Sequence, residues 1–177
     1  VMALFGSWEG LLFVLLAGVL FCGTGPARAA DTLDAGGVPL PADIAPIGAG
    51  SPYGGPWAGA FDGSLKVILA PERLSHSGRG QAVYAIGDNP RHGIEASWYR
   101  LPAAIEDDAL VVKGRLPITF RLSPTGRLRG VFGQGFGFAV LTRQPLDAVK
   151  DGDIEWVDAE TIMLATALEE DGAPVRL

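Results

Sequence analysis

Ile118-Thr119-Phe120-Arg121-Leu122-Ser123 places three apolar side chains, Ile118, Phe120 and Leu122, on one side of an extended chain and Thr119, Arg121 and Ser123 on the other. Successive side chains of a strand point to opposite faces, so this period of two describes a strand with one face buried and one in water. Leu65, Val67 and Leu69 repeat the pattern around Lys66, and Phe136, Phe138 and Val140 alternate with Gly137, Ala139 and Leu141 before the run stops at Arg143. Eight strands are predicted, beginning near Trp57, Leu65, Gln81, Ala96, Leu110, Ile118, Leu128 and Phe136. Turn residues separate them: His76-Ser77-Gly78, Gly87-Asp88-Asn89-Pro90, Glu106-Asp107-Asp108 and Ser123-Pro124-Thr125-Gly126. Strands in sequential order with short connections predict an all-β fold, an antiparallel meander over residues 57–143. Closing it into a small eight-stranded barrel removes the exposed edges that invite aggregation.

Working outward, residues 30–56 alternate Gly, Pro, Ala and Asp with hardly any periodicity, which predicts a disordered linker. Before it, Leu11 to Cys22 is an apolar run too short to cross a bilayer and of the right length for the core of a signal peptide. Ala27-Arg28-Ala29 supplies an A-x-A site, so cleavage after Ala29 and a periplasmic or secreted location are expected, with no stable membrane anchor afterwards. The absence of Lys and Arg from the first ten residues, with Glu9 in their place, runs against this reading. A buried core helix or a lipid anchor at Cys22 are the alternatives. On the other side, residues 144–177 form an acidic linker leading into Asp158 to Glu170, where helix-forming composition competes with a strand over Thr161 to Leu168 that enters an Asp171-Gly172 turn.

Composition narrows the function classes. Gly and Pro together make 38 of 177 residues, a turn-rich chain. The net charge of -6 is unevenly divided: residues 51–143 carry 11 basic and 7 acidic side chains, residues 144–177 carry 2 and 9. One cysteine excludes a disulfide framework, and His76 and His92 have no clustered carboxylates with which to hold zinc, so no metal and no cofactor are expected. Lys113, Arg115, Arg121, Arg127 and Arg129 give a basic face without interleaved exposed aromatics, and nucleic acid is not an expected partner. The sequence contains no nucleophile elbow, no phosphate-binding glycine loop and no H-E-x-x-H. Ser75, His76 and Ser77 are adjacent in sequence, the wrong arrangement for a relay assembled across a fold. Asp107 and Asp108 read as a solvated corner and His92 as a loop residue, so no catalytic residue is assigned.

Gly55-Pro56-Trp57 at the head of the first strand and Arg143 at the end of the last form the most specific pair. In an eight-stranded barrel these strands are neighbours, and a guanidinium there can lie over the indole face as a structural pair. The arrangement resembles the G-x-W and late-strand arginine of the calycin barrels, the lipocalin and avidin-like group. That resemblance implies a small hydrophobic ligand in the barrel mouth, with Trp57, Phe61, Tyr84, Trp98, Phe120, Phe132 and Phe138 as candidate lining; the alternative is that these aromatics are simply core.

A second resemblance joins Trp57-Ala58-Gly59-Ala60-Phe61, Val83-Tyr84-Ala85-Ile86-Gly87, Leu128-Arg129-Gly130 and Leu141-Thr142-Arg143. Together they are similar to an N-terminal module of exported bacterial proteins that precedes a dienelactone-hydrolase-like α/β-hydrolase. Ala165 to Leu177 resembles the opening β-hairpin of such hydrolases, which favours strand over helix for Thr161 to Leu168. The resemblance implies an exported, non-catalytic barrel accessory to a hydrolase, with a cognate hydrolase domain as partner. Alternatives are a fragment of an active esterase whose nucleophile, acid and histidine lie beyond Leu177, and an autonomous carrier of a small hydrophobic ligand.

Overall fold

The computed structural model describes residues 32–74, 79–133 and 137–156. Within them the alternating runs become β3 (Trp57–Phe61), β4 (Leu65–Leu74), β5 (Arg79–Ile86), β6 (Ser97–Glu106), β7 (Ala109–Lys113), β8 (Pro117–Leu122), β9 (Leu128–Phe132) and β10 (Gly137–Arg143). Each pairs antiparallel with the next, and β10 returns to β3, so the eight strands form one closed barrel. Two short strands precede it, β1 (Thr32–Asp34) and β2 (Pro39–Pro41), paired as a separate hairpin, and a six-residue helix, α1 (Leu146–Asp151), follows it. The signal peptide and the C-terminal hairpin of the sequence reading lie outside the described residues.

Alternation decides what fills the barrel. Trp57, Phe61, Leu65, Val67, Leu69, Tyr84, Leu110, Val112, Ile118, Phe120, Leu128, Phe132, Ala139 and Leu141 form one buried apolar cluster inside it. Gly130 shows how tightly β8, β9 and β10 close around this core: a Cβ there would sit 2.6 Å from the Phe120 ring and 3.3 Å from Ala139 Cβ. The wall outside carries the charged side chains Lys66, Arg100, Arg121 and Arg129, which leaves the interior apolar.

The main departure from the sequence reading is the segment expected to be a linker. Residues 32–56 pack on the barrel as a strap, and residues 146–156 pack beside them, so the folded unit does not stop at 57 and 143. Ala35, Val38, Leu40 and Ile44 are buried against Ala58, Ile68, Ala70, Val83 and Ala85, the outward residues of β3, β4 and β5. Val149 of α1 completes that cluster, with Leu146, Ile154 and Trp156 packed at its margin. Burial of these few apolar side chains offsets the entropy of ordering a Gly- and Pro-rich stretch, because the barrel wall beneath them is already rigid.

The same segment is also tied by polar contacts. Arg100 on β6 pairs with Glu72 on β4 at 3.0 Å and with Asp43 in the strap at 2.6 Å. The Ala45 N–H donates to Glu72 Oε1 at 3.3 Å, and Lys66 Nζ donates to the Gly36 carbonyl at 2.9 Å. Arg100 hydrogen bonding, with its charge adding to the effect, holds the Asp43 carboxyl below its usual range.

Candidate functional site

Three places in the molecule bear on function: the two ends of the barrel and one stretch of its outer wall. At the first end, β10 and β3 are in register with Arg143 opposite Trp57, which brings the Arg143 guanidinium 4.7 Å from the indole centroid. Arg143 Nη2 also donates to the Pro52 carbonyl at 2.7 Å, and the Trp57 Nε1–H donates to the Tyr53 carbonyl at 3.1 Å. Gly55 has φ +88°, a left-handed backbone that favours glycine, and its Cα faces the Arg143 side chain. This turn folds Tyr53 over the opening, where its ring joins the interior cluster and its hydroxyl donates to the Asp108 carbonyl. Burial raises the Tyr53 phenol above its ordinary value, so it stays a neutral donor.

At the opposite end, Ile94 is buried with the interior cluster. It is held by the Asn89–Ile94 bridge, with N–H to carbonyl bonds of 2.9 and 3.1 Å in the two directions. Phe61 and Phe132 meet there edge to face with centroids 6.4 Å apart. Tyr53 and Ile94 therefore stand as apolar plugs at the two ends of a side-chain-filled interior.

The structure sorts the seven candidate ligand-lining aromatics into two groups. Trp57, Phe61, Tyr84, Phe120 and Phe132 point inward and are each at most 3% exposed as part of the packed core. Trp98 and Phe138 do not join them. Trp98 pairs with Ala85, whose parity is outward, and its ring packs at the margin of the strap-covered cluster. Phe138 is 40% exposed, because Ala139 and Leu141 take the inward parity of β10. The seven therefore form no single lining.

On the outer wall, β8 and β9 pair with Thr119 opposite Val131 and Arg121 opposite Arg129. Inward neighbours Phe120 and Leu128 are fully buried, which turns both arginines outward. Between the two columns runs a groove of about 380 Å³, lined by Thr119, Arg121 and Ser123, by Arg129 and Val131, and by Pro124 in the turn, with Leu122 at its end. The turn is built locally: Ser123 Oγ accepts from the Arg127 N–H at 3.1 Å and bonds Thr125 Oγ1 at 2.8 Å. Arg121 Nη1 donates to the Asp107 carbonyl at 3.1 Å. Asp107 and Asp108 both have positive φ, +48° and +58°, the two-residue turn that joins β6 to β7, which is how the acidic corner seen in the sequence is used.

Residues that the sequence reading did not single out are Tyr53 and the Asp43, Glu72 and Arg100 group. A lone aromatic in a Gly- and Pro-rich run was the available signal for Tyr53. Nothing in spacing links Asp43, Glu72 and Arg100, which barrel closure and the strap bring together from three segments. Among the described residues, no three His, Cys, Asp or Glu side chains come together as metal ligands. Comparison of the chain with protein-family models, with curated proteins and with solved structures found no match.

Proposed function

We propose that the chain is an exported, non-catalytic β-barrel module of calycin-like build that acts by packing against a hydrolase of the dienelactone-hydrolase-like class. The observation that carries the non-catalytic reading is the barrel interior. It is occupied by the module's own side chains and plugged by Tyr53 and Ile94, and the Trp57 and Arg143 pair works as a structural clasp. A ligand carrier of this build keeps an open mouth to admit a guest, whereas here the clasp and Tyr53 lie across one. The hydrolase association rests on the sequence resemblance alone.

Ester turnover tests the first half. The purified chain, given a p-nitrophenyl ester and a dienelactone, is expected to hydrolyse neither faster than heat-denatured protein does. Turnover that survives purification and vanishes on unfolding would contradict a non-catalytic module. The second half is tested by mixing the chain with a purified dienelactone-hydrolase-like domain from the same organism. Co-elution with a 1:1 ratio is expected, and independent elution at micromolar concentrations would contradict the association.

A further inference from the structure

We propose that the free edge of β6, Ser97 to Leu101, pairs antiparallel with the same edge of a second copy of this chain, so that two barrels share one continuous sheet. The inference goes beyond the accessory reading and does not depend on it.

The barrel closes on β6 through only part of that strand. β5 pairs with β6 from Arg79 opposite Ala104 to Ile86 opposite Ser97, whereas β7 reaches β6 only from Ala103 to Glu106. Ser97 to Pro102 therefore has a neighbouring strand on one side, and among the described residues its backbone makes no hydrogen bond on the other. Register decides which groups are left there. The Gly87 N–H donates to the Lys66 carbonyl, so Gly87, Ala85 and Val83 turn their backbone groups to β4, and Ile86, Tyr84 and Ala82 turn theirs to β6. Ser97, Tyr99 and Leu101 answer them, which leaves the N–H and C=O of Trp98 and Arg100 pointing out of the sheet. The Asp107-Asp108 turn gives the same assignment from the other end. Glu106 and Ala109 close it and exchange both bonds, so Glu106 and Ala104 face β7 and, by alternation, Pro102, Arg100 and Trp98 face the same side. Pro102, which has no N–H to give, stands where pairing with β7 stops.

Proteins guard such edges with charge, and here the guard is neutralised. Arg100 is the one charged side chain between Ser97 and Leu101, and it is paired with Glu72 at 3.0 Å and Asp43 at 2.6 Å. The inner side of the edge is apolar and incompletely covered: Tyr99 and Leu101 share the inward parity of Tyr84 and Ala82 but are only partly buried.

The same residues select the occupant. Two-fold antiparallel pairing of this edge with itself can be centred on Trp98, Tyr99 or Arg100. Centred on Arg100, it opposes two guanidiniums and sets Trp98 against Pro102, which cannot donate. Centred on Trp98, it sets Arg100 against Ala96, whose N–H is already given to Asp88 Oδ1 at 2.9 Å. Centred on Tyr99, it brings Trp98 of each copy opposite Arg100 of the other, and each such pair exchanges two N–H to carbonyl bonds. No like charges then face each other, the indole lies opposite a guanidinium, and the two Tyr99 rings meet at the axis on the inner face. The edge is complementary to itself in donors, in charge and in side-chain parity.

The test is the oligomeric state of the full chain, with the pairing read residue by residue. In sedimentation velocity the mass is expected to rise about two-fold between about 1 and 300 micromolar, since a small interface gives weak association. In amide hydrogen exchange, Trp98 and Arg100 are expected to slow at least about ten-fold in concentrated samples, while Tyr99 and Leu101, bonded to β5, stay slow throughout. Tyr99→Lys opposes two ammonium groups at the axis and leaves the backbone ladder of the barrel in place, so it is expected to weaken dimerisation about ten-fold. An equimolar mixture of Tyr99→Lys and Tyr99→Glu is expected to restore it, which chains that had lost their fold would not do. If the variants fold poorly, the exchange pattern of the parent decides alone. A chain that stays monomeric over this range would overturn the proposal, as would a dimer indifferent to folded Tyr99→Lys. Slow exchange at Trp98 and Arg100 in a monomer would give the edge to another part of the chain, and protection that needs an added hydrolase domain would give it to that partner. Either result would overturn self-pairing.

Discussion

The barrel has two outer faces, and they obey different chemistry. On β3, β4 and β5 the outward positions Ala58, Ile68, Ala70, Val83 and Ala85 are all fully buried beneath the strap and α1. On β8 and β9 the outward positions are Thr119, Arg121, Arg129 and Val131, and among the described residues no strap or helix lies over them. The inward residues of the two halves are alike; only the outward parity differs. The small, apolar face is the one that the strap and α1 cover, and the face on β8 and β9 carries the arginines.

A charge placed on each face breaks this comparison most severely. Val83→Asp would bury an unpaired carboxylate under the strap, and an expected loss of at least about 3 kcal/mol in urea denaturation follows. Thr119→Asp, on the outer face of β8 beside the two arginines, should stay within about 0.5 kcal/mol of the parent. Comparable losses at both positions would mean that the faces are not different. Next in size is the strap itself. Leu40 is fully buried in it, so Leu40→Ala should cost roughly 2–4 kcal/mol, whereas a true linker would tolerate the change without effect.

Gly130→Ala probes the inner side of the β8–β9 wall. Its Cβ would press into the Phe120 ring, with an expected loss of about 1–3 kcal/mol, measured by the same denaturation. Arg143→Ala removes the clasp over Trp57 and should cost roughly 0.5–2 kcal/mol. Unchanged stability there would show that the strap, and not the clasp, closes that end.

The smallest effect is electrostatic. Asp43 is held below its usual range by Arg100, so its contribution to strap anchoring is present above the unfolded value of about 3.9 and is lost as pH falls through the lower folded value. An NMR titration of the Asp43 carboxyl should show a midpoint below the ordinary one, moving back up in Arg100→Gln. An ordinary midpoint in the parent would remove this tie.

Much of this architecture is legible in the order of the amino acids alone. Ile118 to Ser123 alternates cleanly because one of its faces meets water, and all eight barrel strands begin within two residues of where alternation and turn residues place them. The covered face is legible too, in a different signal. Trp57 to Phe61 and Val67 to Ala70 are almost continuously apolar, the mark of strands buried on both sides, and something must therefore lie over them. That something was hidden because Gly36, Gly37, Pro39 and Pro41 have the composition of a linker, while Val38, Leu40 and Ile44 carry its burial. Phe138 and Trp98 illustrate the parity problem: an aromatic in a strand is easily assigned inward, but Ala139, Leu141 and Ala85 fix the register and turn both out. The arginine groove was visible as a basic run, yet the direct opposition of Arg121 and Arg129 depends on strand register, which charge counting does not contain.

Amide hydrogen exchange of the full chain and of its Leu40→Ala variant tests the division between the faces most directly. The account predicts faster exchange in residues 32–45 and in β3 to β5 of the variant, where Leu40 is buried against the barrel wall, with exchange in β8 and β9 unchanged. Equal acceleration on both faces, or none under the strap, would contradict it.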